Sequence, residues 1–548
     1  MTPVEVKALP SEQLRNLADD VRARILEVVG ENGGHLASSL GAVELALGLV
    51  RVFDPTSDRI VWDVGHQSYA WKILTGRDES FGTLRRHRGL SGFPNPEESP
   101  CDAFVGGHAG AALAAAQGMA AARDLRGGKE FVVAVVGEAS LANGMALEAL
   151  FALRSFSRLI LVLNDNASVP AFDQSFFESL GLAYHGPVDG NEISAVVDAL
   201  TQAQSRDVPC VVHFRTVKGR GYAPAEADPV TWHGVPPHAL EVSEGDVADD
   251  SWSGVFGRAL VDLARQDARV CAVVAAMPHG TGLIPFAQAY PDRFFDVGIC
   301  EERAVTFAAG LAKAGMKPVV AIYSTFLQRA FDQIMHDVCI LKLPVVFAVD
   351  RAGCVGADGR THHGMFDIPM SRCLPNMSLL QPRSAEMLEE MLAAALAASG
   401  PVAIRWPRGA TVKESGSMPL AWGLAEQLSA PDARVQLWAL GDQVPKARKA
   451  ADVLARAGIE AGVVDARFVK PFDADLLARQ RASGAFIVSL ENGAVAGGFG
   501  EAIGADARFG WPDAFVGHGS VEELEADFGF TAQDVARCVA STLGKAGL

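Results

Sequence analysis

Three histidines in the chain each follow a glycine: Gly34-His35 in "ENGGHLASSLG", Gly65-His66 in "WDVGHQSYAWKILTGR" and Gly107-His108 in "FVGGHAGAALAAAQG". Imidazole is the side chain whose ordinary pKa lets it move protons near neutral pH. Glycine lets backbone turn sharply or approach a ligand closely. The pairs therefore read either as proton-handling groups or as structural turns. A carboxylate occupies a different setting in "FVVAVVGEASLANG", residues 131–144, where an apolar strand runs into Gly137, Glu138 and a helix start. Ligands of open α/β sheets sit beyond the carboxyl ends of strands. Glu138 then faces a ligand, or it is a first-turn acid favoured by the helix dipole. Arginines supply the complementary chemistry, because a planar guanidinium fork matches phosphate. Arg329 in "FLQRA", Arg351 in "DRAG" and Arg408 in "PRG" follow apolar strands or lie in apolar helices, which a surface role explains poorly. A net charge of -17 disfavours nucleic acid and anionic membrane as partners. An anionic substrate must then be gripped by such local cations.

The elements that position these groups are those of an α/β protein. Short Val/Ile/Leu-rich runs such as "RLILVLNDN", "VPCVVHFRT", "RVCAVVAAM", "KPVVAIYST", "LPVVFAVDR", "GPVAIRWPR", "VQLWALGD", "GVVDARF" and "AFIVSLENG" alternate with Ala-rich helical stretches. That alternation predicts mostly parallel sheets flanked by helices. At 548 residues the chain exceeds one core and is expected to form about three domains. Two stretches, near 236–253 and 413–433, read as linkers and set the expected bounds at 1–245, 246–412 and 413–548. Hydrophobic content of 49% with 21% charged residues is that of a soluble globular protein, and no apolar run approaches the roughly 18 residues of a membrane span. "MTPVEVKALPSEQL" lacks a secretion signal, so a cytoplasmic protein is expected. Eight cysteines without a C-x-x-C pair argue for reduced thiols rather than a zinc ribbon or disulfide framework.

Longer motifs carry a resemblance. "GGHLASSLGAVELALGL", "DVGHQSYAWKILTGR", "GLSGFPNPEESPCDAF", "DVGICEERAVTFAAGLA", "AIYSTFLQRAFDQIMHDV", "DRAGCVGADGRTHHGMFDI", "GPVAIRWPRG", "DARFVKPFD" and "GHGSVEEL" closely resemble the 1-deoxy-D-xylulose-5-phosphate synthase family through nearly the whole chain. The resemblance implies three transketolase-like α/β domains that bind the diphosphate, bind the pyrimidine and close the C-terminus. It implies thiamine diphosphate and Mg2+ as cofactors, a homodimer, and isoprenoid biosynthesis. The implied transferase reaction joins pyruvate, after loss of carbon dioxide, to D-glyceraldehyde 3-phosphate, so the partners are a 2-oxo acid and a phosphorylated aldehyde. Glu301 sits where the family places the glutamate that holds N1' of the cofactor's aminopyrimidine, although Glu302 in the same "EER" run would equally suit a plain helix-terminal acid. His35, His66 and His362 match catalytic positions. His108, Gly137, Lys218 and Phe326 match cofactor positions. Tyr323, Arg329, Arg351, Asp358 and Arg408 match the substrate side.

The first domain departs from the family. Its usual Gly-Asp-Gly metal motif is Gly137-Glu138-Ala139 here, with Asn166 the expected second magnesium ligand. The Ser-rich stretch after the third histidine is "HAGAALAA", the family's Gln-His after the catalytic glutamate is Glu302-Arg303, and several dozen residues that members carry after "LNDN" are missing. Two alternatives therefore stand beside the synthase: a related carboligase with another donor or acceptor, and a non-catalytic paralogue.

Overall fold

The computed structural model describes residues 1–166, 172–238, 240, 250–412, 414 and 418–544. The chain divides into two compact units, Met1–Gly245 with Ala357–Thr361, and Asp246–Gly356 with His362–Leu548.

In the first unit, β1 (Arg59–Trp62), β2 (Val132–Gly137), β3 (Leu159–Asp165), β4 (Ala183–Asp189) and β5 (Cys210–Arg215) lie in the order β1-β2-β3-β5-β4, every neighbouring pair parallel. Side chains alternate between faces along a strand. Val133 and Val135 of β2 thus join the core built by Leu14–Asn32, Val43–Val52 and Ile193–Gln204, while Val132, Ala134 and Val136 join that of Ala112–Leu125 and Gly144–Ala152. Burial on both faces is why β2 reads as a continuous apolar run. Gly137 is the register partner of Asn164. Glu138 and Asn166 therefore leave adjacent strands at one end of the sheet.

The second unit holds two sheets. The first comprises β6 (Val270–Val274), β7 (Phe294–Asp296), β8 (Lys317–Tyr323), β9 (Val346–Asp350), β10 (Ser378–Leu380) and β11 (Val402–Arg405). The other comprises β12 (Glu426–Ser429), β13 (Val435–Ala439), β14 (Ala461–Asp465), β16 (Phe486–Ala494) and β17 (Ala507–Trp511). Between β14 and β16 in sequence, β15 (Phe468–Lys470) joins the edge of the former sheet antiparallel to β10. The orders are β15-β10-β11-β9-β8-β6-β7 and β12-β14-β13-β16-β17. The nine runs read as strands from sequence become β3, β5, β6, β8, β9, β11, β13, β14 and β16.

The stretch near 413–433 needs correction as a linker, because it contains β12, paired antiparallel with β14. Its polar sequence hides a buried charge cluster. Arg383 Nη1 donates to Glu426 Oε2 at 2.7 Å and also to Asp465, and Arg467 pairs with the same Glu426. Of the stretch near 236–253, most lies outside the described residues, and a helix already begins at Trp252. No described helix is long and apolar enough to cross a membrane. None of the eight cysteines forms a disulfide.

Removing one member of a buried ion cluster strands its partners. Arg383→Met should cost about 3–5 kcal/mol in urea unfolding, whereas Arg448→Ala, whose partner Glu414 lies at the exposed end of the same cluster, should cost under about 1 kcal/mol.

Candidate active site

Each of the three Gly-His pairs is a turn that glycine alone accommodates. Gly34, Gly65 and Gly107 have φ of 144°, 80° and 137°. A Cβ on Gly65 would lie 2.2 Å from Cδ of Pro94, and one on Gly107 2.5 Å from Cβ of Thr361. The turns bring two of the three rings together. His35 and His66 have centroids 6.0 Å apart, and a further imidazole, His233, lies 5.8 Å from the first and 5.2 Å from the second. His108 is held separately, its Nε2 2.9 Å from the carbonyl of Thr361. His233 was not singled out in the sequence. The only signal was its loop position in "TWHGVPP", where no glycine precedes it. Burial, followed by the charge of Lys218, pushes His233 down to about 4, so it is neutral at pH 7, and its Nδ1 shares a hydrogen bond with Ser38 Oγ, 3.1 Å away.

The strand ends of the first unit carry the anionic side. Glu138 is 2% exposed at the start of the helix Glu138–Leu141, so it is not a solvent-facing helix acid. Its charge acts on Lys218, whose ammonium is pushed down by burial against Glu138's pull. The loop after His108 is fixed by Asp63, which accepts from the backbone N–H groups of Gly110 at 2.9 Å and Ala112 at 3.0 Å. Asn143 caps the helix that follows Glu138 by accepting from Met145. The first asparagine of "LNDN" is structural: Asn164 donates to Gln67 at 2.8 Å and accepts from Thr216 at 2.6 Å. Asn166 lies half-buried just past β3; residues 167–171, where the family's extra segment is missing, lie outside the described residues. Among the described residues no three His, Cys, Asp or Glu side chains converge as a metal site.

Asp358 and its neighbours belong to this unit. Asp358 forms a buried ion pair with Arg85, and Arg360 meets Glu97 at 3.0 Å. The carboxylate expected to meet sugar hydroxyls is thus already held by a guanidinium.

In the second unit, Glu301 opens the helix Glu301–Lys313 and is 4% exposed. Its Oε2 has no hydrogen-bond donor, and Arg329 Nη1 stands 3.5 Å away. Burial raises the Glu301 carboxyl above its ordinary value, against the pull of Arg329. Glu302 is half-exposed and Arg303 exposed. At the end of β8, Tyr323 stacks on Phe326 with centroids 5.8 Å apart, and Phe326 meets His362 edge-on at 5.6 Å. Arg351, just past β9, has φ 54° and places its guanidinium carbon 4.1 Å from the Tyr323 ring centre. A non-glycine residue in that backbone region is strained, and such strain concentrates at functional sites. Arg408 does not share this packing and stands exposed in the loop after β11. The buried arginine of that segment is Arg405, which donates to Asp367 and Gln381.

The Gly65 turn has no room for a side chain, so Gly65→Ala should destabilise the protein by about 2 kcal/mol or more, read by chemical denaturation. Glu301 generates a pH signature. The folded protein holds its proton more tightly than the unfolded chain, so stability falls as pH rises from the ordinary carboxylate range through the raised pKa. Glu301→Gln should therefore unfold at a higher temperature than the parent at pH 8 and at the same temperature at pH 4.

A family model described as 1-deoxy-D-xylulose-5-phosphate synthase matches residues 1–171 and 168–216. The transketolase pyrimidine binding domain matches 249–413 and the transketolase C-terminal domain 423–535. A 1-deoxy-D-xylulose-5-phosphate synthase from Desulforudis audaxviator is 44% identical over 98% of this chain and 96% of its own length. One from Geobacter sulfurreducens is 42% identical over 100% and 97%. The Desulforudis alignment runs over 610 positions against 548 residues here, so that relative carries residues this chain lacks. The first model's two pieces meet at 168–171, immediately after "LNDN". A transketolase variant from Pichia stipitis shares the fold, with TM-score 0.50, 19% identity and 97% coverage of each chain. A chain with this site, matched along its whole length, belongs to the 1-deoxy-D-xylulose-5-phosphate synthase family.

Proposed function

We propose that the chain is a thiamine-diphosphate-dependent transferase that joins pyruvate, with loss of carbon dioxide, to D-glyceraldehyde 3-phosphate and releases 1-deoxy-D-xylulose 5-phosphate. The observation that carries this is Glu301: a buried carboxylate with an oxygen that no donor satisfies. Such a group is costly unless something completes it, and a protonated ring nitrogen of the cofactor does so. The residues present fit the cofactor on that count. When bound, thiamine diphosphate supplies a thiazolium carbon that can carry negative charge. Glu301 holds the proton at the aminopyrimidine nitrogen, and Phe326 offers it an apolar face. Neutral His233, with His35 and His66, forms the imidazole cluster suited to exchanging protons with substrate. Arg351 and Tyr323 bind the acceptor's phosphate end, and His362 and Asp358 its hydroxyls. His108, Gly137 and Lys218 hold the cofactor's diphosphate.

Magnesium fits through Glu138 and Asn166. One carboxylate and one amide oxygen would supply hard oxygen ligands of the kind magnesium takes. The glutamate replaces the family's aspartate with one further methylene, and Ala139 restricts the adjacent backbone. The domain bounds 1–245, 246–412 and 413–548, a homodimeric state and a cytoplasmic location complete the proposal.

One observation favours a second reading, in which the acceptor differs. Asp358 is paired with Arg85, Arg329 lies against Glu301, and Arg408 is exposed, so the acceptor-side set is partly committed elsewhere. A non-catalytic paralogue has no physical need for the unsatisfied Glu301. Incubation of [2-13C]pyruvate with D-glyceraldehyde 3-phosphate, thiamine diphosphate and magnesium, followed by carbon NMR, decides between them. Labelled 1-deoxy-D-xylulose 5-phosphate is expected; label in another ketol only with other aldehydes supports the second reading, and no carbon dioxide release sinks both.

For the metal, Glu138→Gln should weaken magnesium-dependent binding of thiamine diphosphate at least about tenfold, or ~1.4 kcal/mol, while unfolding with the parent's cooperativity. Calorimetry across a magnesium series reads this, and an unchanged metal dependence would remove Glu138 from the ligand set.

A further inference from the structure

We propose that Arg329 is a positioning residue for Glu301, holding its carboxylate ionised and aimed, and is not an anchor for the acceptor's phosphate. This rests on the reading of Glu301 as the group that holds a proton on the cofactor's aminopyrimidine.

Both partners are fixed by packing. Glu301 begins a helix whose Ala304, Val305 and Ala308 are fully buried, and Arg329 lies on the turn Gln328–Ala330 between the buried Leu327 and Ala330 of the same core. The side chains of Glu301 and Arg329 are 6% and 14% exposed, with Nη1 of Arg329 3.5 Å from Oε2 of Glu301. At that distance the two charges are neighbours without a hydrogen bond, so the oxygen keeps its lone pairs while feeling the positive field.

The chemistry needs this arrangement. A carboxylate holds a proton on a ring nitrogen only while it is itself negative, and burial works against that charge. The charged groups that act on Glu301 are Arg329 and Glu302. Arg329 is the cation of the two. A direct hydrogen bond from it would occupy the oxygen the cofactor needs. The same pairing spoils Arg329 as a phosphate anchor, because a guanidinium beside a carboxylate presents little net charge to a dianion. Arg351 instead lies over the ring of Tyr323, and Oδ1 of the neighbouring Asp350 accepts from its backbone N–H.

The test pairs a measurement on the cofactor-free protein with one on the loaded enzyme. Thermal unfolding without cofactor is compared for the parent, Glu301→Gln, Arg329→Ala, Arg329→Lys and the double variant Glu301→Gln with Arg329→Ala, at pH 8 and pH 4. Arg329→Ala should lower Tm at pH 8 more in the parent than in the Glu301→Gln background, the difference should vanish at pH 4, and Arg329→Lys should keep most of it. In the loaded enzyme, the acid limb of pyruvate decarboxylation measured without acceptor should move up by about one pH unit, a tenfold change in proton affinity, with acceptor KM altered less than threefold. Additive Tm losses at pH 8 would overturn the pairing. A raised acceptor KM with an unshifted decarboxylation profile would return Arg329 to the phosphate. If the parent bound no thiamine diphosphate, the functional reading would fail, and the cofactor-free comparison would still decide whether the pair exists.

Discussion

A carboxylate taken out of water and left one donor short is the constraint on which the second unit's site depends. Glu301 is placed there by a helix that must start at that residue, because its alanine-rich face packs against the turn carrying Arg329. The helix N-terminus favours the negative charge and burial opposes it. The balance, with Arg329 near and not bonded, leaves a group whose proton affinity is raised. At that end of the sheet Arg351 lies over Tyr323, Tyr323 on Phe326 and Phe326 against His362.

The first unit is organised around close approaches between chain segments. Positive-φ glycines before His35, His66 and His108 allow the approach, and buried polar side chains then hold the loops. Asp63 binds the loop after His108, Asn143 caps the helix after Glu138, and Asn164 ties the ends of β3 and β5 to the His66 loop. Under the proposed function these loops would hold the cofactor's diphosphate. A longer carboxylate stands at position 138, and the family's segment after "LNDN" has been lost beside it.

Much of the architecture was legible in the sequence because parallel strands buried on both faces leave uninterrupted apolar runs, and all nine such runs are strands. β12 escaped because it is a short polar edge whose burial comes from Arg383 and Arg467, residues distant in sequence. The Gly-His turns announced themselves through composition. His233 did not, since its neutrality comes from burial and Lys218, a property of packing alone. The arginines were legible as types and not as partners: nothing in "FLQRA" says that Arg329 faces Glu301, and nothing in "PRG" says that Arg408 stands exposed while Arg405 is buried.

The account turns on Glu301 acting through the cofactor's ring nitrogen, and the most direct measurement is hydrogen–deuterium exchange at the thiazolium C2 of bound thiamine diphosphate, by quenched flow and proton NMR. The parent should exchange faster than free cofactor by orders of magnitude, and Glu301→Gln, which removes the charge and keeps the shape, should return the rate to near that of the free cofactor. Exchange in the variant as fast as in the parent would contradict the account.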